Sequence, residues 1–170
     1  MKKAQGFTLI ELIIVIIILG ILAVTAAPKF IDIQGDARGA TLSGVKAAIL
    51  GANTMVYAKS ALKGVEKSDA TANKNVSING TSVDVVFGYP EGAIAHVQNV
   101  LDINTTDWSF VQGTAAAASA DLPQGTTVVG ISPAGVTANY DEATNGCYIT
   151  YAQAANANSS PVVTVVTGAC

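Results

Sequence analysis

The chain opens on two lysines and a long apolar run, and residues 2–23 read KKAQGFTLIELIIVIIILGILA. Within residues 7–27 the one charged side chain is Glu11. As an α-helix this run would be roughly 32 Å long at ~1.5 Å per residue, enough to cross a hydrocarbon core of ~30 Å. The sequence therefore predicts a membrane-spanning helix, with Lys2 and Lys3 on the cytoplasmic side.

Two simpler interpretations of this start are weaker. A secretory signal peptide would combine the basic pair, the apolar run and the small residues at 25–27. It would hold Glu11 in its apolar region, where a charge costs ~2.5–3.5 kcal/mol near a helix centre, and it would place Pro28 directly after the cleavage point. A plain membrane anchor tolerates Pro28 but gives the carboxylate no role.

The segment Gly6-Phe7-Thr8-Leu9-Ile10-Glu11, with the aliphatic run that follows it, resembles the signature of the type IV pilins. The resemblance implies that a prepilin peptidase cuts between Gly6 and Phe7 and methylates the new amine of Phe7. It also implies that the helix waits in the inner membrane until an assembly platform and its ATPase extract it into a helical homopolymer. The very short leader resembles the type IVa branch.

Glu11 is predicted to be the assembly charge. A carboxylate in an apolar setting is costly unless it is paired. After cleavage the Phe7 amine of the same chain is one available partner, and the resemblance favours the amine of the next subunit. The alternative is a side chain that reaches the membrane edge without pairing.

The rest of the helix is predicted to be amphipathic. One apolar stripe recurs at three- and four-residue spacing: Leu42, Val45, Ile49, Ala52 and Val56. Gly20 and Pro28 are predicted weak points, since glycine has low helix propensity and proline lacks an N–H. We expect four regions: a cleaved leader (1–6), a transmembrane and assembly helix (7–27), the amphipathic half of the same helix (28–62) and a globular head (63–170).

The head is expected to be an antiparallel sheet, so that the fold class is α+β with the long helix packed on the sheet, as the type IV pilin resemblance implies. Residues 76–78 and 82–87 flank Asn79-Gly80, which predicts a tight hairpin ended by Gly88-Tyr89-Pro90. A short helix is expected over 93–101, and residues 63–75 and 113–123 are expected to be loops. Further strands are expected at 108–111, 127–132, 147–153 and 162–167.

The two cysteines, Cys147 and Cys170, are expected to form a disulfide, because the head lies on the oxidising side of the membrane. Free thiols or a metal site are the alternatives. The Gly88-Tyr89-Pro90 turn, the strand that begins at Cys147 and the late Cys170 resemble the mannose-sensitive haemagglutinin pilins of Vibrio and related bacteria. That resemblance implies attachment to host or abiotic surfaces, haemagglutination and biofilm formation.

Charge is divided unevenly along the chain. Residues 28–75 carry seven basic and four acidic groups, net +3, whereas residues 76–170 carry seven acidic and no basic groups, net −7. Because residues 76–170 carry no cation, they are expected to bind nucleic acid poorly, and no nucleic-acid partner is expected. One hypothesis is that the acidic head meets the lysines of neighbouring subunits, namely Lys59, Lys63, Lys67 and Lys74. The alternative is a solvated acidic surface.

No enzyme, cofactor or metal is expected. The single histidine, His96, lacks the context of a nucleophile, and Asp102, Asn104 and Asp107 lack the closing glutamate of a calcium loop. The sequence thus predicts a structural pilus subunit. Two alternatives share some of its features: the major pseudopilin of type II secretion, and a membrane-tethered carbohydrate-binding protein that does not polymerise.

Overall fold

A computed structural model describes residues 6–69, 74–114, 127–136, 138, 140 and 144–170. The chain divides into two compact units, Met1–Ala37 and Arg38–Cys170. The boundary falls inside one long helix, α1, which runs from Leu9 to Lys63 without a break.

The described part of the first unit is helix with an exposed apolar surface. Every side chain of Leu9–Ala26 is exposed. Within the described residues this is the one helical segment long and apolar enough to cross a membrane, by length and composition. So much exposed aliphatic surface is unfavourable in water, and it therefore requires lipid or other protein around it.

In the second unit, α1 presents the predicted apolar stripe to the core. Leu42, Val45, Ile49 and Val56 are buried, and Ala52 is half-buried. The first three belong to a core cluster with strands of a four-stranded sheet, whereas Val56 belongs to a second cluster formed with a three-stranded sheet. A single helix face thus serves two sheets in succession.

The three-stranded sheet consists of β1 (Asn75–Ile78), β2 (Thr81–Val86) and β3 (Tyr89–Pro90), all antiparallel. Asn79 and Gly80 have φ angles of 49° and 82°, as a two-residue type I′ hairpin requires, so the predicted hairpin is confirmed.

The prediction that this hairpin ends at Gly88-Tyr89-Pro90 misses one strand. Phe87 and Gly88 have φ angles of 50° and 86° and form a second tight turn, so Tyr89 and Pro90 pair with Val86 and Val85. Pro90 is tolerated because β3 is an edge strand, where a missing N–H leaves no ladder bond unmade.

Helix α2 (Ile94–Leu101) leads into the four-stranded sheet, whose strands are β4 (Trp108–Thr114), β5 (Thr127–Pro133), β6 (Tyr148–Ala152) and β7 (Val162–Val166). They form an antiparallel meander in the order β4-β5-β6-β7. These strands lie close to the predicted segments, and the predicted α+β class is confirmed. The loop expected over 113–123 is wrong at Gly113 and Thr114, which belong to β4, and residues 115–123 lie outside the described residues.

Candidate assembly site

The first turn of α1 is closed by Thr8 and Glu11. The Thr8 backbone N–H and the Thr8 hydroxyl both donate to Glu11 Oε2 at 2.8 Å. The Glu11 N–H in turn donates to Thr8 Oγ1 at 3.4 Å. The first four N–H groups of a helix have no partner within it, and this reciprocal arrangement, a capping box, satisfies two such donors.

The capping box fixes where the charge of Glu11 lies. The carboxylate is held at the N-terminal end of α1, which carries a partial positive charge from the aligned peptide dipoles. The carboxylate accepts its hydrogen bonds from Thr8, next to Phe7, so the charge points toward the start of the helix and away from the aliphatic residues that follow Glu11. Glu11, the one charged side chain of residues 7–27, therefore lies at the N-terminal end of the apolar helix.

Gly6 and Phe7 precede the helix. Phe7 is 94% exposed, and no atom lies within 4 Å of the position a Gly6 Cβ would occupy. The peptide bond predicted for cleavage thus lies in non-helical, accessible chain, where proteolysis concentrates.

The predicted weak points, Gly20 and Pro28, both lie inside α1. Around Gly20 a Cβ would meet no atom within 4 Å, so local packing does not demand glycine there. Pro28 cannot donate to the Val24 carbonyl, yet the helix continues through it. Their role in bending or melting stays a prediction.

In the second unit, Cys147 and Cys170 form a disulfide with a Cα–Cα distance of 4.7 Å. Cys147 is buried in the core cluster that includes the α1 stripe, and Cys170 packs against that cluster. Arg38, the only arginine of the chain, donates from Nη1 to the Cys170 carbonyl at 3.0 Å. The disulfide loop is thereby joined to the head-packed part of α1.

At the other end of α1, two lysines bind the free edge of the three-stranded sheet. Lys59 Nζ donates to the Ser77 carbonyl at 2.8 Å, and Lys63 Nζ donates to the Asn75 carbonyl at 2.7 Å. Four residues of helix rise about 6 Å, and two residues of strand about 6.6 Å, so the two spacings match. Because β1 is an edge strand, these ammonium groups satisfy carbonyls that β2 does not reach.

This contact changes the interpretation of the charge asymmetry. Lys59 and Lys63 were expected to be available to neighbouring subunits, but both bind backbone carbonyls of their own chain. Lys67 and Lys74 remain exposed.

Comparisons with known proteins agree with this arrangement. Residues 1–27 match the prokaryotic N-terminal methylation motif. The chain is also similar to the Type IV narrow pilus major component PilA5 of Thermus thermophilus, at 40% identity over 90 residues. That alignment covers 53% of this chain and 63% of the relative's length, so the chain spans less than two thirds of the relative. No solved structure matches the chain significantly. An N-terminal apolar helix followed by antiparallel sheet is the architecture of type IV pilins.

Sequence reasoning missed Thr8, although the signal was present. Thr8 and Glu11 stand three residues apart directly before an apolar run, which is the pattern of a capping box. The partners predicted for Glu11 were the Phe7 amines of its own chain and of the next subunit, and none of these predictions included Thr8.

Proposed function

We propose that this chain is the major structural subunit of a type IV pilus and polymerises into an extracellular fibre. The observation that carries the proposal is the arrangement of the first unit. A helix with an exposed apolar surface, Leu9–Ala26, lies within the residues that match the methylation motif and carries one carboxylate, Glu11, in its first turn. Such a helix suits a membrane as a monomer and a bundle of its own copies as a polymer.

Processing creates the partner for the carboxylate. A prepilin peptidase would cut between Gly6 and Phe7, methylate the Phe7 amine and so place a positive charge one residue before Thr8. Glu11 then accepts from the amine of its own chain or of the next subunit, and an unpaired charge in the apolar bundle would be strongly unfavourable. The pair would set the axial register, while aliphatic contact would supply most of the adhesion at about 25 cal/mol per Å² buried.

The proposed path runs from the inner membrane, through an assembly platform and its ATPase, to the cell surface. The proposed domains are those expected from the sequence: leader 1–6, assembly helix 7–27, amphipathic helix 28–62 and head 63–170. The narrower proposal, a mannose-sensitive haemagglutinin type of pilus for attachment, haemagglutination and biofilm formation, rests on the head residues Gly88 to Pro90, Cys147 and Cys170.

The test is to shear fibres from cells that express the chain at its natural level and identify their main protein by mass spectrometry. We expect this chain, starting at an N-methylated Phe7. A terminus at Met1 or Pro28 would refute the processing step.

The same cells separate the alternatives. A type II pseudopilin would leave no surface fibres, and its deletion would stop protein secretion. A tethered carbohydrate-binding protein would stay in the membrane fraction after shearing.

A further inference from the structure

Three metal-ligating side chains meet on the second unit, away from the assembly helix. His96 Nε2 lies 3.3 Å from Asp84 Oδ2 and 3.5 Å from Glu91 Oε2. The three ligand atoms all lie within 4.8 Å of one another, and each residue is half-buried. Asp84 belongs to β2, Glu91 follows β3 and His96 lies in the first turn of α2.

The backbone holds the three residues in place before any ligand arrives. The Glu91 N–H donates to the Asp84 carbonyl at 2.9 Å, which fixes the two carboxylates on adjacent chain segments. The next residue, Gly92, donates its N–H to Gln153 Oε1 at 2.9 Å, and the His96 N–H donates to the Ala93 carbonyl at 3.1 Å. A metal site requires ligand atoms that are held in position before the ion binds.

The distances fit a four-coordinate dication. Tetrahedral Zn²⁺ has bonds of about 2.0–2.1 Å to imidazole nitrogen and carboxylate oxygen, so its ligand atoms lie about 3.3–3.4 Å apart. The two distances from His96 Nε2 agree with that spacing within about 0.2 Å, and the two carboxylate oxygens lie within 4.8 Å of each other. Three protein ligands leave a fourth position open to solvent.

The charge of the cluster also favours a cation. Asp84 and Glu91 bring two carboxylates to one imidazole, and within the described residues neither forms an ion pair with a lysine or arginine. Like charges at this separation repel, and a dication between them removes the repulsion. One imidazole with two carboxylates suits Zn²⁺ better than Ca²⁺ or Mg²⁺, which prefer six or more oxygen ligands.

The imidazole must move one proton when the ion binds. The Asp84 N–H donates to His96 Nδ1 at 3.3 Å, so the metal-free neutral ring carries its proton on Nε2, between the carboxylates. A metal at Nε2 requires the proton of the neutral ring to move to Nδ1, where two donors would face each other, so the imidazole must shift away from the Asp84 N–H and lose that hydrogen bond.

We propose that Asp84, Glu91 and His96 form a Zn²⁺ site that joins α2 to the β2–β3 hairpin. Sequence alone indicated no metal, because the three residues follow no metal-binding spacing and meet only after β2, β3 and α2 have packed together. The ion would be a structural cross-link on the head, with its open position facing solvent.

The test uses the untagged full-length chain in detergent micelles, stripped with a chelator. Calorimetry with Zn²⁺ should show one saturable site, with Mg²⁺ at the same concentrations giving none, and Co²⁺ should give the visible absorption of a tetrahedral site. Because His96 is the only histidine, its ring ¹⁵N resonances are unambiguous, and Nε2 should shift on binding.

Two variants and one control complete the test. His96→Gln, and Asp84→Asn combined with Glu91→Gln, should weaken Zn²⁺ binding by more than the roughly 10–100-fold that loss of an outer-shell partner causes. Asp107→Asn, which removes an exposed carboxylate elsewhere on the head, should bind like the wild type. No saturable binding by the wild type, an unshifted His96 ring, or folded variants that bind as tightly as the wild type would each overturn the site.

Discussion

Replacing Lys59 and Lys63 with methionine should reveal how the head protects its free sheet edge. Methionine keeps the helix propensity and the apolar stem of lysine but removes the ammonium group that binds the β1 carbonyls. Both contacts are exposed, so each hydrogen bond is expected to contribute about 0.5–1 kcal/mol rather than the ~1.5–3 kcal/mol of a buried charged one.

The two lysines also repel each other, because they stand four residues apart on one helix face. Such like-charge pairs are unfavourable by about 0.2–0.5 kcal/mol. Each single variant loses one bond but relieves the repulsion, so its net loss in unfolding free energy should be about 0.3–0.5 kcal/mol. The double variant loses both bonds and relieves the repulsion once, for a net loss of about 0.8–1.5 kcal/mol.

The signature of this mechanism is therefore a double variant that is less stable than the sum of the singles. Thermal and denaturant unfolding of the full-length chain in detergent would measure it, with a Tm decrease of roughly 3–6 °C for the double variant. Lys67→Met is the matched control, because Lys67 is exposed and has no hydrogen bond to the described residues. In ~1 M salt the loss of the double variant should equal the sum of the two single losses, because salt screens the repulsion between the lysines. An unchanged midpoint for the double variant, or an equal loss in the control, would refute the role of the edge contacts.

Three other substitutions test separate parts of the structure. Glu11→Gln keeps a side chain that can complete a capping box and removes the charge, whereas Thr8→Ala keeps the charge and removes the cap, which lowers helix stability by about 1 kcal/mol. The yield of sheared fibres should fall far more for Glu11→Gln than for Thr8→Ala. Equal yields would contradict charge pairing. Cys170→Ser opens a loop with a sequence separation of 23 residues and should lower the unfolding free energy by about 3.4 kcal/mol relative to the oxidised wild type, measured by denaturant titration, and the reduced wild type should match the variant. The Cβ of Gly130→Ala would clash with one edge of the Tyr140 ring, so the variant should lose about 1–3 kcal/mol of unfolding free energy and change its near-ultraviolet circular dichroism spectrum. A spectrum and stability like those of the wild type would show that the ring is not held there.

Local signals in the sequence predicted much of the fold. The Asn79-Gly80 pair predicted the first hairpin because Asn and Gly readily adopt the two positive φ angles that a type I′ turn requires. The three- and four-residue spacing of apolar residues from Leu42 to Val56 predicted which face of α1 is buried, and the structure agrees. Both signals act over a few residues, where backbone preference and burial periodicity dominate.

The contacts that sequence reasoning did not predict depend on how elements pack. Lys63 binds β1 only because the end of α1 runs beside that strand, and no local pattern indicates a backbone carbonyl as its partner. The same holds for His96, whose carboxylate neighbours lie on a strand and a turn that α2 meets only after folding. The sequence did not predict β3 because a proline such as Pro90 normally indicates that a segment is not a strand. At the edge of a sheet proline is tolerated, and β3 is an edge strand.

The placement of these contacts bears on how a fibre of such subunits would carry load. From Arg38 to Lys63, α1 is tied to the head by a hydrogen bond to Cys170 at one end, by two bonds to β1 at the other and by a buried stripe between them. In Leu9–Ala26 the side chains are all exposed in the single subunit, so we expect neighbouring subunits to surround that segment in a fibre. Gly20 lowers the helix propensity there, and Pro28 removes a backbone hydrogen bond. Under tension we therefore expect the helix to open first near Gly20 and Pro28, where helix propensity is low and one backbone hydrogen bond is missing. Under the proposed function, a pulled fibre would lengthen through its core helices while each head kept its fold.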